Sequence, residues 1–262
     1  MPSEKWSQTK VGPPTGTLLI CGGEGKKEML AVFLRLVGDP KAPIVVIPTA
    51  SKNHQNVGAA AVEILASLGA TSVTVLHTGD PKVADTEQFV EPLRSAKGVW
   101  IPGGRQWRLA DAYLRTRTQQ ELFALLDRGG VIGGSSAGAS IQASYLVRGD
   151  PKGNAIMMSP GHEEGFGFLR QTAIDQHVLA RNRVEGLVQV LTKHPDLLGI
   201  GIDERTGIIV TGDQFEVVGE SKVAIYDAKR QGWPKDSHIL LSPGDKYDMK
   251  NRRPAGLPAN CD

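Results

Sequence analysis

The chain is poor in cysteine. Two of its 262 residues, Cys21 and Cys261, are too few for a disulfide framework. Neither lies in a C-x-x-C pair or a His/Cys cluster with zinc spacing, so no structural metal is expected. Cys21 ends an apolar run and reads as a small buried hydrophobe. Long apolar runs are missing as well, since nothing approaches the ~20 residues of a membrane span. An excess of charge is also missing. Thirty Lys+Arg against 28 Asp+Glu leave +2, with none of the concentrated basic surface that nucleic-acid binding requires. Residues 1–16 are polar and hold no signal-peptide core, so a cytoplasmic protein is expected; a chain already stripped of its leader would read the same. There is no internal repeat, heptad pattern or clear linker. The expectation is one domain over 1–262, with 1–16 and 245–262 loosely ordered.

What is present is an alternation. Thr17–Cys21, Ile44–Pro48, Ser72–His77, Gly98–Ile101 and Val131–Gly134 are short, β-rich and bounded by Gly, Pro or Thr, as buried strands are. Helical patterns lie between them, over Lys26–Val37, Val57–Leu68, Thr86–Arg94 and Gln106–Arg128, the last broken near 115–117. Strand–helix alternation predicts an α/β fold: a three-layer sandwich around a mostly parallel, doubly wound sheet. Farther on, Ala137–Tyr145 and Val178–Thr192 read as helices and 148–172 as a long loop. Leu198–Ile202, Gly207–Thr211, Phe215–Val218 and Lys222–Tyr226 read as strands that add antiparallel neighbours at the C-terminal end.

The stretch Gly-Val-Ile-Gly-Gly-Ser-Ser-Ala-Gly-Ala-Ser at 130–140 has the form of a strand–serine–helix elbow. Its G-x-S-x-G core, Gly134 to Gly138, puts Ser136 at the apex and Ser135 one residue off it. A sharp turn would push the Ser136 hydroxyl out of the sheet edge, with the next helix aiming N–H groups at a developing oxyanion. A Gly/Ser-rich turn that merely binds an anion would look the same. Other strand ends are small or polar too: Gly22-Gly23-Glu24, Thr49-Ala50-Ser51, Gly79-Asp80 and Gly103-Gly104-Arg105-Gln106. In open α/β sheets such ends share one ligand crevice.

A serine hydroxyl needs a base. Of six histidines, His177 stands out, among polar residues in Ile-Asp-Gln-His-Val-Leu-Ala-Arg-Asn-Arg at 174–183. The plain alternative is a helix start with Asp175 as N-cap. The base in turn needs an acceptor. Asp203 and Glu204 follow one predicted strand, and Asp150 lies in the loop after the elbow; spacing does not choose among them.

Together these segments carry a resemblance. Gly-Gly-Ser-Ser-Ala-Gly-Ala, Asp-Gln-His-x-x-x-Arg-x-Arg and Gly-Ile-Gly-Ile-Asp-Glu-Arg-Thr resemble the cyanophycinase branch of peptidase family S51, which also contains aspartyl dipeptidase (peptidase E). Ile-Pro-Thr-Ala-Ser at 47–51 and Pro-Gly-Gly-Arg-Gln at 102–106 fit as well, so the likeness spans about 17–227. It implies a fold related to the class I glutamine amidotransferases. It also implies a serine exopeptidase with a Ser-His-Glu triad, no cofactor, and a peptide or polymer substrate bearing β-linked aspartate, such as one releasing β-Asp-Arg. A homodimer is implied too.

Residue by residue, the resemblance implies Ser136 as nucleophile, His177 as base and Glu204 as orienting acid, with Asp150 as the fallback. The amides of Gly104 and Ala137 would form the oxyanion hole, and Gln106, Asp175, Gln176, Arg181 and Arg183 would bind substrate. In one place the chain departs from the pattern. Relatives resemble Arg-x-Arg-x-x-Arg here, whereas the third position is Gly186. That weakens the expectation of a grip on an Asp-Arg polymer and leaves open an aspartyl or isoaspartyl dipeptidase, or another small-amide hydrolase. A non-catalytic binding protein on the same scaffold is the remaining alternative.

Overall fold

A computed structural model describes residues 4–255, so Cys261 and the tail from 256 lie outside the described residues. The first half alternates strand and helix. In order come β1 (Thr17–Cys21), α1 (Lys26–Val37), β2 (Ile44–Val46), α2 (His54–Ser67) and β3 (Val73–Val75). Then come α3 (Pro81–Ala84), α4 (Glu87–Ser95), β4 (Gly98–Ile101), α5 (Gln106–Tyr113), α6 (Arg117–Asp127) and β5 (Val131–Ser135). The second half holds α7 (Ala137–Ser140), β6 (Ala143–Tyr145), β7 (Leu169–Gln176), α8 (Val184–Lys193), β8 (Leu198–Ile202) and β9 (Thr206–Thr211). It closes with β10 (Gln214–Gly219), β11 (Val223–Asp227), β12 (His238–Leu241), β13 (Lys246–Asp248) and β14 (Arg253–Pro254).

The main sheet runs β14-β13-β10-β9-β1-β5-β4-β2-β3. From β1 to β3 every neighbour is parallel, and from β1 to β14 every neighbour is antiparallel. The parallel strands are apolar on both faces because helices cover both. On β1, Leu18 and Ile20 join a core with residues of α4, α5 and α6, while Leu19 and Cys21 face α1 and α2. Val99 and Ile101 against Trp100 divide the same way on β4. These are the three layers the alternation predicts.

The second sheet was not expected. Its order is β12-β11-β8-β7-β6, and α8 packs on it through Leu187, Val190 and Leu191. Its strand β7 occupies 169–176, where the sequence reads first as loop and then as the start of a helix. The strand carries Arg, Gln, Thr and Asp, so it lacks an apolar signature. Its buried polar groups are instead paired internally, as Asp175 is with Arg148. The predicted helix 137–145 is only α7 followed by β6, and the predicted helix at 178–192 begins at Val184.

Among the described residues, segments near both ends are tied to the core. Trp6 is buried edge-on against Phe123 at 4.9 Å, and the Asp213 carboxylate accepts from the N–H groups of Lys10, Val11 and Gly12. In the tail, Tyr247 on β13 stacks on Phe215 at 5.5 Å.

Candidate active site

The site is built where β1, β5, β7 and β8 end. Ser136 follows β5 with φ 56° and ψ −111°, a conformation that costs a non-glycine residue of order 1–3 kcal/mol and persists only when surroundings enforce it. Its N–H donates to the Cys21 carbonyl at 3.0 Å, tying the apex to the end of β1. The hydroxyl lies 3.0 Å from Nε2 of His177. His177 closes β7, also with positive φ (57°), and its Nδ1 lies 2.8 Å from Oε1 of Glu204. Glu204 follows β8. His177 is therefore a strand-end residue, and the alternative of a helix start capped by Asp175 does not hold.

The two acids after β8 do different work. The Asp203 carboxylate accepts from the N–H groups of Leu179 and Ala180 at 3.1 and 2.9 Å and from the Ser221 hydroxyl at 2.7 Å, which fixes the turn after His177. Burial opposes its ionisation, but these hydrogen bonds prevail and hold its carboxyl below the ordinary value. Glu204 faces the imidazole. Asp150 does not: its carboxylate accepts from Lys152 N–H at 2.6 Å and the Ser159 hydroxyl at 2.9 Å. Of these three acids, Glu204 is the one whose carboxylate meets the imidazole.

His177 is buried, and desolvation is the main cause that pushes its pKa below the ordinary histidine value. Arg181 pushes the same way, while the hydrogen bond and charge of Glu204 pull back. The imidazole is thereby neutral at neutral pH, able to take a proton from the hydroxyl at its other nitrogen.

The turn at 103–104 closes over the serine. A Cβ on Gly103 would lie 3.1 Å from the Ser136 Cβ, and one on Gly104, whose φ is 152°, would lie 2.3 Å from the Ala50 carbonyl oxygen. Only glycine fits at 104. Ala137 opens α7, so its N–H belongs to a first turn that has no acceptor within the helix.

A pocket of about 360 Å³ opens beside Ser136 and His177, and it is lined by Arg181, whose Nε lies 3.8 Å from Oε1 of Glu204. The other residues assigned to substrate make bonds within the protein. The Gln106 amide donates to the Val147 carbonyl at 2.8 Å. Arg183 donates to Oε1 of Gln176 at 3.0 Å. Asp175, with no exposed surface, takes both prongs of the Arg148 guanidinium at 2.8 and 2.9 Å. Sequence reasoning missed Arg148, a single arginine in a Gly- and Pro-rich stretch with no pattern to mark it. Of the five strand ends, Gly22-Gly23, Gly103-Gly104 and Ser136 meet at the site, and Ala50 accepts from Arg105 N–H at 2.8 Å. Asp80 instead caps α3, accepting from Lys82 N–H at 2.9 Å. Among the described residues, no cluster of three or more His, Cys, Asp or Glu could hold a metal ion.

The profile of peptidase family S51 matches residues 17–218, most of the chain and all of the site. The chain belongs to peptidase family S51. This S51 enzyme is a serine-type peptidase and is similar to the cyanophycinase of Geminocystis herdmanii, at 29% identity over 93% of this chain and 97% of that one. A cyanophycinase of Synechococcus elongatus is 28% identical over 96% of this chain and 84% of its own. Among solved structures, a peptidase from an acI-B1 Actinobacterium superposes with a TM-score of 0.68 at 25% identity, covering 89% of this chain and 97% of that one. A Listeria monocytogenes chain at 19% identity and TM-score 0.58, over 79% of this chain and 99% of its own, shares the fold. No helix among the described residues of this S51 peptidase is long and apolar enough to cross a membrane.

Proposed function

We propose that the protein is a serine exopeptidase that hydrolyses β-aspartyl bonds through Ser136, His177 and Glu204. The observation that carries this reading is the hydrogen-bonded chain of 3.0 and 2.8 Å from hydroxyl to imidazole to carboxylate. His177 Nε2 takes the hydroxyl proton as Ser136 attacks the scissile carbonyl. Glu204 fixes the tautomer and stabilises the imidazolium that forms. The N–H groups of Gly104 and Ala137 receive the oxyanion. His177 then gives the proton to the leaving amine, and water releases the acyl group by the reverse sequence. Arg181, nearly half-exposed at the pocket, suits a substrate carboxylate.

The first form of this reading is cyanophycinase-like, with release of Asp-Arg dipeptides from a chain end; it rests on the curated relatives. The second form, hydrolysis of small isoaspartyl dipeptides, is favoured by one observation. Asp175 is held by Arg148, and a side chain at Gly186 would begin 3.0 Å from the same guanidinium. The third cationic position of the resemblance is thus absent here, and the space for restoring it is tight.

Digestion of a peptide set with paired α- and β-linked aspartate, read by mass spectrometry, tests both forms. Cleavage confined to β-linked members, lost in Ser136→Ala, is expected. Cleavage of the α-linked members alone would overturn the linkage.

A further inference from the structure

The pocket beside Ser136 is apolar along the wall away from the nucleophile. Val57, Ala61 and Ile64 stand at i, i+4 and i+7 on α2, so one helical stripe faces it. Met29 of α1 and Trp100 of β4 complete that wall. Ala61, packed against Met29 and Trp100 in the core, brings only a methyl to that wall. The charged residues sit at the rim: Lys26, Arg181 and Glu24.

We infer that this pocket receives the side chain of an apolar residue on the leaving side of the scissile bond, with that residue's free carboxylate toward Lys26 and Arg181. The assignment to the leaving side rests on the β-aspartyl reading, which gives the acyl side to aspartate. Two observations support it. Val57, Ala61, Ile64, Met29 and Trp100 offer no carboxylate or carbonyl side chain to a guanidinium or ammonium, the amide of Asn56 standing at an exposed position like Glu24, and burying such a group there without a partner is costly. The rim carries two cations against one carboxylate, which complements a chain-terminal carboxylate better than a basic side chain. The volume of about 360 Å³ is that of a small-ligand site and admits a leucyl or phenylalanyl residue. The inference sides with the dipeptidase form of the proposed function.

The experiment measures kcat/KM for β-Asp-Leu, β-Asp-Phe, β-Asp-Gly and β-Asp-Arg, with the four α-linked counterparts, on the wild type and on Ala61→Leu. The wild type is expected to prefer β-Asp-Leu over β-Asp-Arg by tenfold or more. Ala61→Leu fills the pocket and is expected to shrink the Leu-over-Gly ratio by about tenfold, within the range that one or two methylenes are worth in an apolar pocket. Ala60→Leu, at an exposed position on the same lining, serves if Ala61→Leu does not fold. Equal or better turnover of β-Asp-Arg overturns the inference and leaves the β-aspartyl reading standing, as does an unchanged Leu-over-Gly ratio in the folded variant. An apolar preference confined to the α series keeps the pocket and overturns the linkage. No hydrolysis in either series overturns both.

Discussion

Gly23 lies flat against the imidazole of His177. A Cβ on this glycine would fall 2.0 Å from Cε1 and 2.5 Å from Nδ1 of the ring, and its φ of 145° suits no other residue. The ring is therefore held between the turn after β1 and the Ser136 hydroxyl. Gly23→Ala is expected to move the imidazole and lower kcat by about a hundredfold, the size of loss that follows a 1 Å misplacement. Steady-state kinetics checks this; a kcat within twofold of wild type would show that the contact does not position the ring.

Ser136→Ala is expected to lower kcat by at least a thousandfold with an unchanged circular dichroism spectrum. Ser135→Ala, one residue off the apex, is expected to leave most activity. A reversed order would move the nucleophile to Ser135.

The pH profile follows from the surroundings of His177. Burial first, then Arg181, holds its pKa below the ordinary 6.5, against the opposing pull of Glu204. As the proposed base, His177 acts only when neutral, so activity is expected above the folded pKa and lost as pH falls through it. The acid limb of kcat/KM is expected below 6.5. Arg181→Gln removes a lowering cause, so the limb is expected to move up in pH, whatever happens to the plateau. A wild-type limb above 6.5, or a downward move in the variant, contradicts this.

Arg148 and Asp175 form a buried ion pair, with 6% and 0% of their surfaces exposed. Arg148→Ala leaves the carboxylate buried without its partner and is expected to cost about 3–5 kcal/mol of stability. Gly186→Arg pushes a side chain into the same guanidinium and into Met157 at 3.0 and 3.1 Å. It is expected to destabilise the fold by about 1–3 kcal/mol and to bring no gain in turnover of an Asp-Arg polymer. Denaturant titration checks both losses.

Legibility in the sequence followed how each element is stabilised. β1 is readable to the residue because it is a short apolar run closed by glycines, and the apex at Ser136 because its turn needs small neighbours. The break between α5 and α6 was visible near 115–117. β7 was not, because it buries Thr172, Asp175 and Gln176, polar residues paired with Leu169, Arg148 and Arg183, and such pairing leaves no apolar pattern in the strand. The same holds for the choice among Asp150, Asp203 and Glu204. Their roles depend on which donors the folded chain brings to each carboxylate, and residue spacing carries no such record. The apolar pocket joins α1, α2 and β4, three segments that each read only as core.

The most direct test is covalent labelling with a fluorophosphonate followed by peptide mapping. The account predicts one phosphonyl group on Ser136, with labelling slowed at least a hundredfold in His177→Ala. Labelling of another serine, or equal labelling without the imidazole, would contradict it.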